Sequence, residues 1–243
     1  MESITAVLLD IEGTTTPIDF VYNILFPYAR EHMRPYLAEH LASIDVQSAV
    51  RDLLRENAED ARQGFDSPRL AEDAEIASLD DLVAYLHWLM DQDRKSTPLK
   101  TLQGKIWEDG YRKGILRSQI FEDVPQALRR WHEQGKEIHI YSSGSVLAQK
   151  LLFAYSEAGD LTALIDGYFD TNIGAKTNAD SYRRITTALE REPAEIMFLS
   201  DRITELDAAA DAGLAAVLCV RPGNDPQITP VTHRVIHTFD QTL

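Results

Sequence analysis

One short apolar run, Thr5–Leu9 (TAVLL), stands apart from every other strand-like segment, because from Ile18 to about Leu116 the helical period dominates. A single strand is not stable alone. It must therefore pair with strands that begin only after Gly114, which makes the helical stretch an insertion into a sheet domain. Within that stretch Val46, Val50, Leu53 and Leu54 form one apolar face, with Asp45 as the expected N-cap, and Leu79, Leu82, Val83, Leu86, Leu89 and Met90 form a second. Residues 63–78, with Gly64, Pro68 and many acids, read as an exposed connection, and a third helix is expected over 99–113. After Gly114, strands expected at 137–141, 167–170, 196–199, 215–220 and, more weakly, 234–237 alternate with helices near 124–134, 146–155, 179–190 and 205–212. Such alternation suits right-handed crossovers in a parallel sheet. The expected architecture is a doubly wound, mainly parallel α/β domain formed by residues 1–17 and 116–243, with an all-helical domain inserted over 18–115.

The chain has 243 residues, 44% of them apolar, which is ample for a core. A formal charge of −15 disfavours a nucleic-acid backbone or an anionic membrane as partner, since both need clustered Lys and Arg. The start, MESITAVLLDIEG, lacks the basic segment and long apolar run of a secretory signal, and nowhere do 18 apolar residues follow one another. A cytosolic protein is expected. The single cysteine, Cys219, falls in a predicted buried strand and reads as core. The seven histidines show no metal-ligand spacing and receive no role. No exposed apolar seam stands out, and a monomer is expected.

The first strand runs into Asp10-Ile11-Glu12-Gly13-Thr14-Thr15-Thr16-Pro17, two carboxylates two residues apart at a turn rich in Gly and Thr. Ligands of open α/β sheets collect at the carboxyl ends of such strands. There a carboxylate beside a divalent cation can attack phosphorus and form an aspartyl-phosphate. An ordinary strand exit, its side chains bonding the local backbone, has the same composition. Three further loops raise the chemical reading. Ser142-Ser143-Gly144-Ser145 precedes a helix, so hydroxyls and free N–H groups can converge on a phosphate there, or simply cap the helix. Lys176, in the loop 171–178, can neutralise phosphate charge and restrain Asp10, or be solvated. Asp201 follows the strand 196–199 and can complete an oxygen shell for Mg²⁺, or cap the helix near Glu205.

The order of these groups, DxE, Ser, Lys, then Asp with a second acid four residues on, resembles the haloacid dehalogenase superfamily of phosphohydrolases. The resemblance implies Asp10 as nucleophile and Mg²⁺ ligand, Glu12 as general acid/base, Ser142 and Lys176 as phosphate contacts, and Asp201 as Mg²⁺ ligand. It also makes the helical insertion that superfamily's cap, on a haloacid dehalogenase-like core, and allows the metal ligand at position 12 to be its backbone carbonyl. Most members carry DxD where this chain carries DxE. The longer strings LLDIEGTTTPIDFV, FPYAR (26–30), YSSGS (141–145), IGAKT (173–177) and ELDAA (205–209) are similar to the enolase-phosphatase, or acireductone synthase, family of methionine salvage.

That family resemblance implies one Mg²⁺ per subunit and a two-step reaction on a phosphorylated diketone, 2,3-diketo-5-methylthiopentyl-1-phosphate. Enolisation by loss of a C1 proton precedes hydrolysis of the phosphate ester to the acireductone, with Ser142, Ser143 and Lys176 as substrate contacts. Glu12, one methylene longer than Asp, can reach far enough to serve both steps. Arg202, beside Asp201, departs from the apolar or acidic residue expected there, and is read as an outward, solvated charge. Tyr22, Phe26, Tyr28, Trp88 and Trp107 either line a pocket for the methylthio chain or form core. A small-molecule phosphatase without enolase activity, a metal-free dehalogenase and a silent binding module remain as alternatives.

Overall fold

The computed structural model describes residues 4–71, 78–224 and 232–242. In chain order its elements are β1 (Ala6–Leu9), α1 (Ile18–Phe20) continuing into a π-helical turn (Val21–Leu25), α2 (Phe26–His40), α3 (Ile44–Gln63), α4 (Leu79–Asp91), α5 (Thr97–Arg112), α6 (Val124–Glu133), β2 (Glu137–Tyr141), α7 (Val146–Ala154), β3 (Gly167–Phe169), α8 (Ala179–Leu189), β4 (Ile196–Ser200), α9 (Ile203–Asp211), β5 (Ala215–Cys219) and β6 (Arg234–Ile236). The chain divides into two compact units, Met1–Ile24 with Gly114–Leu243, and Leu25–Lys113.

The first unit is built on a six-stranded sheet in the order β3-β2-β1-β4-β5-β6, every described pairing parallel. β1 is central, in register Leu9↔Ile140 with β2 and Leu9↔Leu199 with β4. All four β1 residues are fully buried because side chains alternate across the pleat and both faces are covered. Val7 and Leu9 pack with Leu128, Trp131, Ile138 and Phe239 on one face. Ala6 and Leu8 pack with Tyr182, Ile185, Phe198 and Leu206 on the other. The chain moves outward from β1 through β2 to β3, then returns to place β4 on the opposite side. That reversal beside β1 is where a crevice opens at the carboxyl ends of the strands.

In the second unit α5 packs against α2 and α3, and α2 also packs against α4. Serine starts three of its helices: the side chains of Ser43, Ser78 and Ser96 accept the N–H groups of Val46, Asp81 and Leu99. The expected cap Asp45 instead lies in the first turn of α3, because Ser43 has the extended backbone a cap requires. A polar network is buried between α3 and α4. Asp60 accepts from Tyr85 Oη at 2.7 Å and from Arg94 at 2.8 Å, while Ser96 donates to Glu56 at 2.6 Å. Arg94 also lies 4.9 Å from the Phe65 ring centroid. Trp107 is buried and donates to the Leu25 carbonyl, the Tyr28 ring lies against Gly110, and Trp88 stacks on Tyr85, so these aromatics serve the unit's own packing. Part of the expected 63–78 connection, residues 72–77, lies outside the described residues.

Candidate active site

Asp10 stands immediately after β1, Ser142 after β2 and Asp201 after β4, while Lys176 comes from the loop between β3 and α8. All four are buried, and all lie in the sheet unit. The turn that carries Asp10 and Glu12 closes on the Ile11 carbonyl, which accepts N–H groups from Thr14, Thr15 and Thr16 at 3.0–3.1 Å. Gly13 takes the left-handed conformation at φ 73°, which permits this reversal, and its N–H returns to Thr16 O at 2.8 Å. The three threonines of the motif therefore belong to the turn.

The Asp10 carboxylate is held on both oxygens. Oδ1 accepts from the Ile11 N–H at 2.7 Å and from Lys176 Nζ at 2.5 Å, and Oδ2 accepts from the Ser200 hydroxyl at 3.2 Å. Lys176 reaches a second carboxylate, Glu205, at 2.6 Å. Burial opposes its charge, but Asp10, Glu205 and Glu12 outweigh that and hold the ammonium above its usual range. Its loop is pinned through three successive carbonyls: Tyr141 donates to Gly174 O, Ser181 to Ala175 O and Tyr182 to Lys176 O. A lysine on an exposed loop would be mobile, whereas this one is anchored by its own backbone.

The Ser200 hydroxyl lies between Asp10 Oδ2 and Glu205 Oε2, 3.0 Å from the latter, and accepts the Arg202 N–H at 3.1 Å. It has one proton and serves one carboxylate at a time. Glu12 is within 3.5 Å of the Ser142 hydroxyl, and Ser142 Oγ accepts the Gly144 N–H at 3.1 Å. Gln149 donates to Gly144 O and Phe169 O, which sets the Ser142 turn against the end of β3. Asp201 is seated on Gly13: a Cβ at that glycine would lie 2.6 Å from Asp201 Oδ2.

Four acids thus share a space with one buried cation. Burial, followed by the charge of Asp10, raises the Asp201 and Glu205 carboxyls to about 7 and raises Glu12 as well. This electrostatic deficit, together with hard oxygen donors, fits a divalent cation. Among the described residues no three Asp, Glu, His or Cys side chains converge as a ready-made cage. The donor set at hand is two carboxylates, Asp10 and Asp201, with the backbone beside Glu12. Mg²⁺ suits such a set because it keeps several waters and rarely needs an all-protein cage.

The structure gathers Asp10, Glu12, Ser142, Lys176 and Asp201 on one edge of the sheet. Ser143 differs, being exposed on the turn beyond Ser142. Arg202 is also exposed. Cys219 is fully buried in β5, where burial pushes its thiol up to about 12. Two residues with no role assigned from sequence join the site: Glu205, visible only as the second acid after Asp201, and Ser200, which closes β4 just beyond the strand expected at 196–199. Arg221 and Asn224 were not legible at all, since they reach the motif turn from the segment after β5, a strand separated from β1 by β4. Arg221 Nε donates to Thr14 O at 3.1 Å, and Asn224 Nδ2 to Gly13 O at 3.0 Å.

A family model described as haloacid dehalogenase-like hydrolase matches residues 4–213. Enolase-phosphatase E1 of Synechococcus elongatus is 49% identical over 239 residues, covering 98% of each chain. Enolase-phosphatase E1 of Danio rerio is 44% identical over 248 residues, covering 99% of this chain and 95% of its own. Among solved structures, the UTR4 protein of Saccharomyces cerevisiae superposes with a TM-score of 0.79 at 34% identity, covering 99% of this chain and all of that one. The order of site groups along the sheet edge, the matched model and the full-length relatives lead to one assignment: the chain belongs to the haloacid dehalogenase-like hydrolases, within their enolase-phosphatase E1 family.

Proposed function

We propose that the protein is a bifunctional enolase-phosphatase that enolises 2,3-diketo-5-methylthiopentyl-1-phosphate and then hydrolyses its phosphate ester to the acireductone of methionine salvage. The observation that carries this reading is the Asp10–Lys176–Glu205 cluster, with Glu12 and Ser142 facing it from the neighbouring turns. A phosphatase nucleophile must be oriented and ionised, and Asp10 is oriented through both oxygens. Burial, and after it the charge of Asp10, raises the Glu12 carboxyl above the ordinary carboxylate range, so it holds a proton more readily than a solvated glutamate and can exchange one with substrate.

In the first step Glu12 takes the C1 proton and delivers it to the C2 oxygen, giving the enol, while the substrate phosphate rests on the Ser142 turn and Lys176. Asp10 then attacks phosphorus, the bond from phosphorus to the substrate oxygen breaks, and Glu12, reprotonated from solvent after the first step, gives its proton to that oxygen. A water deprotonated by Glu12 releases phosphate from Asp10. Mg²⁺, held by Asp10, Asp201 and the backbone carbonyl of Glu12, would supply charge neutralisation at phosphate and at the diketone oxygen when bound. Ser143, exposed beside Ser142, is read as a further substrate contact, as the family resemblance implies. The helical unit is read as a cap.

No helix among the described residues is long and apolar enough to cross a membrane. Among the described residues the large exposed apolar side chains are spread along the chain, Tyr22 with Ile24, Leu41 with Ile44, and Phe65, Ile115, Leu147 and Val235 singly. We read the protein as a cytosolic monomer on these grounds. The test follows the diketo phosphate by ultraviolet absorbance and by phosphate release, with Mg²⁺ or EDTA, beside Asp10→Asn. A transient enol, then Mg²⁺-dependent phosphate release that fails in Asp10→Asn, is the expected result. Phosphate release from simple esters with none from the diketone would leave a phosphatase without enolase activity.

A further inference from the structure

The turn after β5 approaches the motif turn with two side chains. Arg221 is nearly fully buried. It lies between the rings of Phe121 and Phe239, with its guanidinium carbon 4.7 and 4.6 Å from their centroids. Its Nη1 meets both Asp123 oxygens at 2.9 Å and donates to His237 O, while Nε reaches Thr14 O. This makes a rigid base for Asn224, whose N–H bonds back to Arg221 O. The Asn224 amide nitrogen donates to Gly13 O at 3.0 Å and Cys219 O at 3.3 Å. Both partners are carbonyls, so the amide orientation is chemically determined: the nitrogen must face them and the oxygen must face away.

That oxygen, Oδ1, is buried and meets no donor. A buried acceptor left unmatched costs about 1–3 kcal/mol, and such groups are rare without a bound water or ion to satisfy them. Its location is specific. A Cβ on Gly13 would lie 3.0 Å from Asn224 Oδ1 and 2.6 Å from Asp201 Oδ2, so the amide oxygen and the carboxylate face the same glycine. No donor side chain of the described residues meets it there. A water bound to a cation, with its protons turned outward, is the donor this position suits.

We propose that Asn224 is an outer ligand of the divalent-cation site, its Oδ1 accepting a hydrogen bond from the hydration shell of the cation held by Asp10 and Asp201. The inference rests on the reading of that pair as the Mg²⁺ site. Asn224 is a positioning residue: its nitrogen holds the motif turn and its oxygen orients the hydration shell. Outer partners of this kind change metal affinity by about 10- to 100-fold.

The two faces of the amide are separable by substitution. Asn224→Ala removes both, whereas Asn224→Asp keeps oxygen acceptors and loses the donor to Gly13 and Cys219. Titration of MgCl₂ into the substrate-free, metal-free full chain by calorimetry reads affinity independently of turnover. Expected are a weakening of about tenfold or more for Asn224→Ala, and an affinity within about threefold of the parent, or tighter, for Asn224→Asp. A purely structural clamp would make both variants lose affinity alike, and that result, or unchanged affinity in Asn224→Ala, overturns the proposal. If Asn224→Ala does not fold, Asn224→Asp decides alone by retention or loss. Failure of the parent protein to bind Mg²⁺ would instead remove the cation reading on which the inference stands.

Discussion

Glu12 is asked to handle a proton in both proposed steps, and its surroundings make that demand reasonable. Burial and the neighbouring Asp10 charge favour its protonated form, while the Ser142 hydroxyl at 3.5 Å supports the ionised one. Replacing it by Gln keeps the shape and removes the proton exchange. Glu12→Gln should slow enolisation and phosphate release each by about 10²- to 10⁴-fold, as single-turnover absorbance and phosphate assays would show. An unchanged enolisation rate would take Glu12 out of the first step. Gly13 makes a different kind of contribution, since it is needed for its missing side chain. Its φ of 73° is strained for any other residue, and an added Cβ would overlap Asp201 Oδ2. Gly13→Ala should therefore displace Asp201 and weaken Mg²⁺ binding by at least about tenfold. Calorimetric affinity equal to the parent's would show that Asp201 can move without consequence.

At the scale of elements, the sheet was readable because β1, β2, β4 and β5 are short apolar runs ended by turn residues, and their observed bounds differ from the expected ones by about one residue. The helical insertion was less readable. Helix α2, over which no apolar face was marked from the sequence, carries Pro27 near its start and accommodates Pro35 inside it. Asp10, Glu12, Ser142, Lys176 and Asp201 were visible because each lies in the turn or loop that follows an expected strand, and a family resemblance ordered them. Arg221 and Asn224 left no such signal, because their contacts to Thr14 and Gly13 join segments that only the sheet order brings together. The Asp60–Tyr85–Arg94 network was hidden for the same reason, with partners 25 and 34 residues away. Asp60 is buried, while Arg94 keeps some access to water. Asp60→Ala should cost on the order of 3 kcal/mol, the low end for breaking a buried pair, as urea unfolding followed by tryptophan fluorescence would reveal. A loss below about 0.5 kcal/mol would mean that Arg94 and Tyr85 find replacement partners in water.

For the molecule as a whole, the cluster of acids at the sheet edge sets a pH dependence of stability that the cation should reverse. Asp201 and Glu205 are lifted from ordinary values of 3.8 and 4.5 to about 7, burial first and the Asp10 charge second. Between those values the native protein holds more protons than the unfolded chain. Where the native state binds the extra protons, stability falls as pH rises, and the fall levels off above the native pKa. The metal-free protein should thus lose thermal stability from about pH 5 to about pH 7. The overall charge of −15 pushes the same way, so a control must isolate the site. Asp201→Asn removes one raised carboxyl and should flatten part of the slope in EDTA. Mg²⁺ binds the ionised native cluster and not the unfolded chain, so saturating Mg²⁺ should raise the midpoint most at the alkaline end. Midpoints measured across this range in EDTA and in Mg²⁺, for the parent and Asp201→Asn, decide the matter. A midpoint in EDTA that rises with pH, or a slope untouched by Asp201→Asn, would show that the crowded carboxylates are relieved by something other than protons or the cation.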